Sequence, residues 1–203
     1  MSYATVGMMY PVFSPLVSHT PGSMPSYGTG RVLQEAREVN ISKTFNTNPL
    51  YGDDQEVDSD NGLTALGYDF ENTGLTPEDK RVLFGETLNA DTLTGGQWES
   101  DNDTPYGGFA HIERMRQGDG TKKYEAYIAL KIKFQETSHT ARTKEGNQIS
   151  WGVPRISGTA AALDVDGGES LRFRLHETFD TVGAAKAWIN SILNVTATTA
   201  ATT

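Results

Sequence analysis

The sequence predicts a mainly β (α+β) fold: a sandwich or barrel with one short helix, one flanking C-terminal helix, long loops and an N-terminal arm. Three observations carry this expectation. Apolar and polar residues alternate with a period of two along several stretches. Only two segments combine helical spacing with helix caps. Gly and Pro, 21 and 8 of the 203 residues, punctuate what lies between.

Residues 11 to 30 hold Pro11, Pro15, Pro21, Pro25, Gly22, Gly28 and Gly30, which argue against helix and central-strand pairing and predict an exposed arm or long loop. Further on, Val39, Ile41 and Phe45 alternate with Glu38, Asn40, Ser42 and Thr44, as a half-buried strand requires. A second strand places Leu66, Tyr68 and Phe70 on one face and Ala65, Gly67, Asp69 and Glu71 on the other. Both strands carry one polar, partly acidic face.

A short helix is predicted within Leu75 to Gly85, with the Thr76 hydroxyl as cap, Pro77 at the first helical position, Glu78 and Asp79 in the first turn and Gly85 as its stop. Residues 86 to 105, rich in Thr, Asp, Asn and Gly, read as a loop around Trp98. Tyr106 to Arg116 and Lys122 to Gln135 then flank a Gln117-Gly118-Asp119-Gly120-Thr121 turn, the strongest hairpin signal. Tyr124, Ala126, Ile128, Leu130, Ile132 and Phe134 are expected on one face of the second strand, opposite a mixed, basic face of Glu125, Tyr127, Ala129, Lys131 and Lys133.

Residues 136 to 148 read as an extended polar loop. Strands are expected over Ile149 to Leu163 and Ser170 to Glu177, the latter with Leu171, Phe173 and Leu175 opposing Arg172, Arg174 and His176. The last helix, Thr181 to Leu193, repeats Val182, Ala185, Trp188, Ile189 and Ile192 at helical spacing, with Asp180 as a cap. We therefore expect one domain over 1 to 194, followed by a Thr/Ala-rich tail over 195 to 203 and no added C-terminal domain.

The formal net charge is −9. Asp53, Asp54, Glu56, Asp58, Asp60, Asp69, Glu71, Glu78 and Asp79 occupy an interval between Lys43 and Lys80 that holds no Lys or Arg, and they account for that whole charge. From Lys122 to Arg155 the cations Lys123, Lys131, Lys133, Arg142 and Lys144 dominate. Such segregation raises the prospect of an acidic and a basic surface meeting in self-association. An acidic total argues against a duplex-binding protein, since phosphate affinity comes mainly from clustered Lys and Arg. No signal peptide and no membrane span is read in the chain.

Catalytic chemistry is not encoded in any recognisable pattern. With Cys 0, disulfides, thiolate zinc sites and cysteine nucleophiles are excluded. His19, His111, His139 and His176 are scattered without zinc spacing, and no phosphate-binding Gly-rich loop is present. Asp58-Ser59-Asp60-Asn61-Gly62 fails as a calcium loop, because aligning Gly62 with the obligatory glycine puts Val57 where the first carboxylate must be. A looser oxygen-ligand site over Asp53 to Asp60 stands beside the plain solvated-loop reading. Arg155 replaces the glycine that a nucleophile elbow needs before Ser157. We expect no enzyme, no cofactor and no resident metal.

The order of segments carries a further signal. Asn48-Pro49-Leu50-Tyr51-Gly52-Asp53-Asp54, the strand from Gly62 to Tyr68, Leu75 to Asp79 before a helix closed by Gly85, the strand Gly108 to Glu113, the hairpin into Tyr124-Glu125-Ala126-Tyr127, Ile156-Ser157-Gly158-Thr159 and Phe173 to Thr181 together resemble major tail proteins of long-tailed, non-contractile bacteriophages. The likeness spans roughly residues 1 to 194 and rests on the ordered set rather than on one motif.

The resemblance implies a tail tube protein of the virion: a β-sandwich with a flanking helix, assembled in the host cytoplasm into stacked hexameric rings around a tape-measure protein, with tail-tip and terminator proteins as further partners. Phage DNA would pass through that tube without tight binding. Under this implication Glu38, Asp69 and Glu71 are the candidate lumen-facing acids. Asp53, Asp54, Glu56, Asp58 and Asp60 form a candidate lumen or inter-ring acidic loop, and Lys131, Lys133, Arg142 and Lys144 are candidate basic inter-subunit contacts. The alternative from another class is a β-sandwich carbohydrate-binding or host-adhesion module using Trp98 or Trp151.

Overall fold

The computed structural model describes residues 3–33, 36–52, 55–88, 97–98, 104–138, 155–168 and 170–196, with the backbone alone over 47–52, 55–61, 87–88 and 97–98. In chain order the elements are β1 (Tyr3–Ser18), β2 (Ser26–Tyr27), β3 (Arg31–Val32), β4 (Ala36–Gly52), β5 (Gln55–Asn72), α1 (Pro77–Phe84), β6 (Thr87–Leu88), β7 (Gln97–Trp98), β8 (Gly107–Gln117), β9 (Lys122–Ser138), β10 (Arg155–Ala160), β11 (Arg174–Phe179) and α2 (Val182–Leu193). The fold is mainly β, as the alternation predicts. One large antiparallel sheet runs β2-β1-β8-β9-β10-β5-β4, with β11 on β9 and β3 on β1, while β6 and β7 pair separately.

The sheet curls so strongly that its two halves face each other. Tyr68 and Phe70 of β5 meet Phe109 of β8 edge to face, at ring-centroid distances of 6.0 and 5.5 Å. That inner core gathers Phe13, Leu33, Leu66, Phe134, Ile156 and Leu83 of α1. A second core lies on the other face of β1, β8 and β9, where Val12, Ile112, Ile128 and Leu130 pack beneath Ala185, Ile189 and Leu193 of α2.

Of the expected arm or loop at 11 to 30, residues 11 to 18 and 26 to 27 are strands instead, and the stretch between them is the loop. Residues 11 to 18 continue β1, where Val12 and Phe13 are fully buried and pair with Ala110 and Phe109. Pro11 is tolerated because it sits in a bulge: Met9 opposes Ile112 and Val12 opposes Ala110, leaving an extra residue on β1 whose N–H the ladder does not require. Tyr10 takes the left-handed turn at φ 55, an unfavourable conformation for a bulky residue. Its hydroxyl donates to Asn190 Oδ1 at 2.8 Å and Lys186 lies 4.7 Å over its ring, so α2 holds the turn in place.

A second bulge corrects the expected single apolar face of β9. Phe109 opposes Ala129 but Gly107 opposes Ile132, so β9 carries one extra residue and its alternation inverts. Ala126, Ile128 and Leu130 therefore face α2, whereas Ala129, Ile132 and Phe134 enter the inner core. The bulge keeps its backbone satisfied: Tyr27 donates to the Leu130 carbonyl at 2.6 Å, and the Ala161 N–H donates to the Lys131 carbonyl at 2.8 Å. Gly107 is required beside it, since a Cβ there would lie 2.4 Å from the Phe13 ring.

Both helices have the expected bounds. In α1, Thr76 and Asp79 form a reciprocal capping box and Gly85 closes the helix in the left-handed conformation. In α2 the cap is Thr181, whose hydroxyl accepts from the Ala184 N–H at 3.2 Å, rather than Asp180, which pairs with Lys123. No helix among the described residues is long and apolar enough to cross a membrane.

Candidate functional site

Strands β4, β5, β10 and the end of β9 present one continuous outward face. On β5, Leu66, Tyr68 and Phe70 point into the core, so Gly67, Asp69 and Glu71 must point away. The register then lines up Glu38–Glu71–Arg155, Asn40–Asp69–Ser157–Gln135 and Ser42–Gly67–Thr159–Lys133 in successive rows. Ser42 lies across Gly67, where a Cβ would meet its hydroxyl at 2.5 Å. All three candidate lumen acids thus fall on one sheet face, in adjoining rows.

They are not bare charges. Ser157 Oγ donates to Asp69 Oδ1 at 2.6 Å. Arg155 reaches Glu71 Oε1 through Nη2 at 2.5 Å and Nε at 3.1 Å. Glu71 holds the Arg155 guanidinium further above its already high protonation range, by hydrogen bond and then by charge, and Asp69 and Glu38 add to this. Arg155 is the member of this face that the sequence reading missed. The signal was present in the strand Arg155-Ile156-Ser157, but only the register reveals which acids lie beside it.

The acidic segment beyond this face is placed differently from the expected loop. Glu56, Asp58 and Asp60 belong to β5, whose backbone pairs with Tyr51, Leu50 and Asn48 of β4. Asp53 and Asp54 lie outside the described residues. Since β10 accompanies β5 only from Leu66 to Glu71, residues 55 to 65 have β4 as their sole lateral partner among the described residues. A two-stranded hairpin therefore extends past the sheet, with Phe45 56% exposed at its base.

Of the candidate basic contacts, Lys131 and Lys133 are half-buried and both lie over the Tyr106 ring, at 4.6 and 5.5 Å. Lys133 shares the outward face with the acids, opposite Thr159. Arg142, Lys144 and Trp151 lie outside the described residues, and for Trp98 only the backbone of β7 is described.

A separate polar cluster closes one end of the inner core. Tyr127 stacks on buried His111 at 5.3 Å and meets His176 of β11 at 5.7 Å, with the Arg174 guanidinium 4.4 Å over its ring. His111 Nε2 lies 3.4 Å from Glu113, and His176 Nδ1 lies 3.1 Å from Glu125. Hydrogen bonding from His111 holds the Glu113 carboxyl below its usual range. Burial, and then the bond to Glu125, pushes the Tyr127 hydroxyl up. Two histidines that looked scattered in sequence flank one tyrosine.

No family model matches this chain, and no curated protein does. Among solved structures it is similar to a chain of the "Cryo-EM structure of the anti-feeding prophage (AFP) baseplate, 6-fold symmetrised", with 10% identity, 88% of this chain and 97% of that chain covered, and a TM-score of 0.30. A superposition that loose carries no weight in assigning a role.

Proposed function

We propose that the chain is a structural, non-enzymatic subunit of a phage-tail particle and, more finely, a tail tube protein whose hexameric rings stack into the conduit for DNA. Tape-measure and tail-tip proteins are its other partners in that reading. The observation that supports it is the outward face of β4, β5 and β10. Glu38, Asp69 and Glu71 stand there in adjoining rows beside β4, which has a lateral partner on one side only among the described residues. An unpaired strand edge is a template for another chain, and a second copy added to β4 would continue the acidic face into a wall. Carboxylates on such a wall repel phosphates, and screening confines that repulsion to about 8 Å at physiological salt, so wall-lining acids are the ones that act on passing DNA.

The test is size-exclusion chromatography with light scattering over a range of concentrations, with negative-stain electron microscopy of the same fractions. Hollow rings or tubes are the expected result. A monomer at every concentration that selects one saccharide on a glycan array would overturn this reading in favour of the adhesion module.

A further inference from the structure

The first row of the outward face poses an electrostatic conflict. Glu38 and Glu71 are directly opposite each other on β4 and β5, an arrangement of like charges that destabilises a sheet. Arg155, opposite Glu71 on the other side, offsets that repulsion. Yet an arginine is also the side chain best shaped to hold phosphate, through two parallel N–H donors. A face that must stay clear of polyanions therefore carries the residue most apt to capture them.

We propose that Glu71 is a mask: it occupies Arg155 so that the cation which stabilises the strands is withheld from phosphate. The geometry fits this role. Nε and Nη2 of Arg155 converge on the same Glu71 oxygen, at 3.1 and 2.5 Å, and the Glu71 side chain is only 20% exposed against 59% for Arg155. The cation is therefore reachable from solvent, while the carboxylate that neutralises it is held against the sheet. Asp69 is tied to Ser157, on the residue pair next to this one, and adds negative potential without touching the guanidinium. Freed from Glu71, Arg155 would offer its donors to a phosphate, and copies repeated around a ring would multiply that hold.

The mask rests on the tube-wall reading for its biological polyanion, the DNA, but its chemistry is tested on the soluble chain. The Arg155 Nε–Hε resonance is followed by NMR during titration with inorganic tripolyphosphate. In the native protein the resonance stays put. In Glu71→Gln it moves saturably, with half-saturation at least tenfold below the highest concentration that leaves the native protein unmoved, and Glu71→Gln combined with Arg155→Gln returns the neighbouring Ser157 and Asp69 amides to native insensitivity.

Glu38→Gln removes a carboxylate of the same row but leaves the pair intact, so its Arg155 resonance stays put as well; a saturable shift equal to that of Glu71→Gln would reduce the effect to net charge and overturn the mask. A native resonance that already moves with tripolyphosphate, or a folded Glu71→Gln that does not respond, would also overturn it. Glu71→Asp keeps the charge but draws the oxygen back by one methylene, and it serves as the second variant if Glu71→Gln does not fold. Absence of tubes by electron microscopy bears on the tube reading and leaves these spectra unaffected.

Discussion

The sheet region beneath α2 and the β4–β5 hairpin are built from similarly alternating strands, yet they meet opposite fates. Beneath α2, both faces of β1, β8 and β9 are covered: Ile189 and Leu193 seal one side while Phe109 and Ala129 fill the other. Over residues 44 to 52 and 55 to 65, β4 and β5 have only each other as lateral partners among the described residues, with Leu63 alone of that stretch packing against the inner core. A two-stranded ribbon standing alone is marginal in water, so a further surface laid on it would stabilise it. The difference teaches that alternation marks a strand but does not say whether its own chain will cover it.

The largest expected effect sharpens that contrast. Ile189→Ala removes a fully buried side chain from the α2 core and is expected to cost about 2–5 kcal/mol by chemical denaturation. Phe45→Ser, at the base of the hairpin, is expected to change the stability of the soluble chain by no more than about 0.5 kcal/mol. If the two costs are similar, the hairpin is covered within its own chain and the contrast breaks.

Next in size is Gly107→Ala. Its Cβ would meet both the Phe13 ring and the Ser14 carbonyl, at 2.4 and 2.5 Å, so the crossing of β1 and β8 must shift. Overpacking of this kind costs about 1–3 kcal/mol. Gly62→Ala on the hairpin, where nothing lies within 4 Å, should be far milder when the two melting curves are compared.

The smallest effect concerns pH. Because Glu113 is held below its usual range when folded, it stabilises the protein above the ordinary glutamate pKa of roughly 4.3. That contribution is lost as pH falls through this value towards the lowered folded one. Glu113→Gln should therefore lower stability at neutral pH and converge with the native protein in acid. Denaturation midpoints at pH 7 and at about pH 3 test it; a gap that persists at the lower pH would show that the loss is packing rather than charge.

Much of the fold was legible in the residues. The Thr76 to Gly85 helix follows from its caps, the Gln117–Thr121 turn marks the β8–β9 hairpin, and Leu66, Tyr68 and Phe70 announce the buried face of β5. What misled were the exceptions to period two. Pro11 reads as a strand breaker, but a bulge removes the need for its N–H, and the even residues of β9 look like one face because the sequence does not mark where an extra residue enters. For the candidate site, Glu38, Asp69 and Glu71 were legible as polar alternates within single strands. Arg155 was not legible as their partner, and neither was the flanking of Tyr127 by His111 and His176.

By itself, then, the sequence determined many local choices: the alternating strands around Ile41, Tyr68 and Ile128, where both helices begin and end, and that the chain is acidic with its carboxylates bunched before residue 80. Those follow from neighbouring residues, through side-chain period, capping groups and turn chemistry. Only the tertiary structure decided which strands lie side by side, and with that which charges meet. Register across a curled sheet is set by the summed burial of many side chains and by the bulges at Tyr10 and Lys131, so the pairing of Glu71 with Arg155 belongs to the folded sheet and to no segment alone.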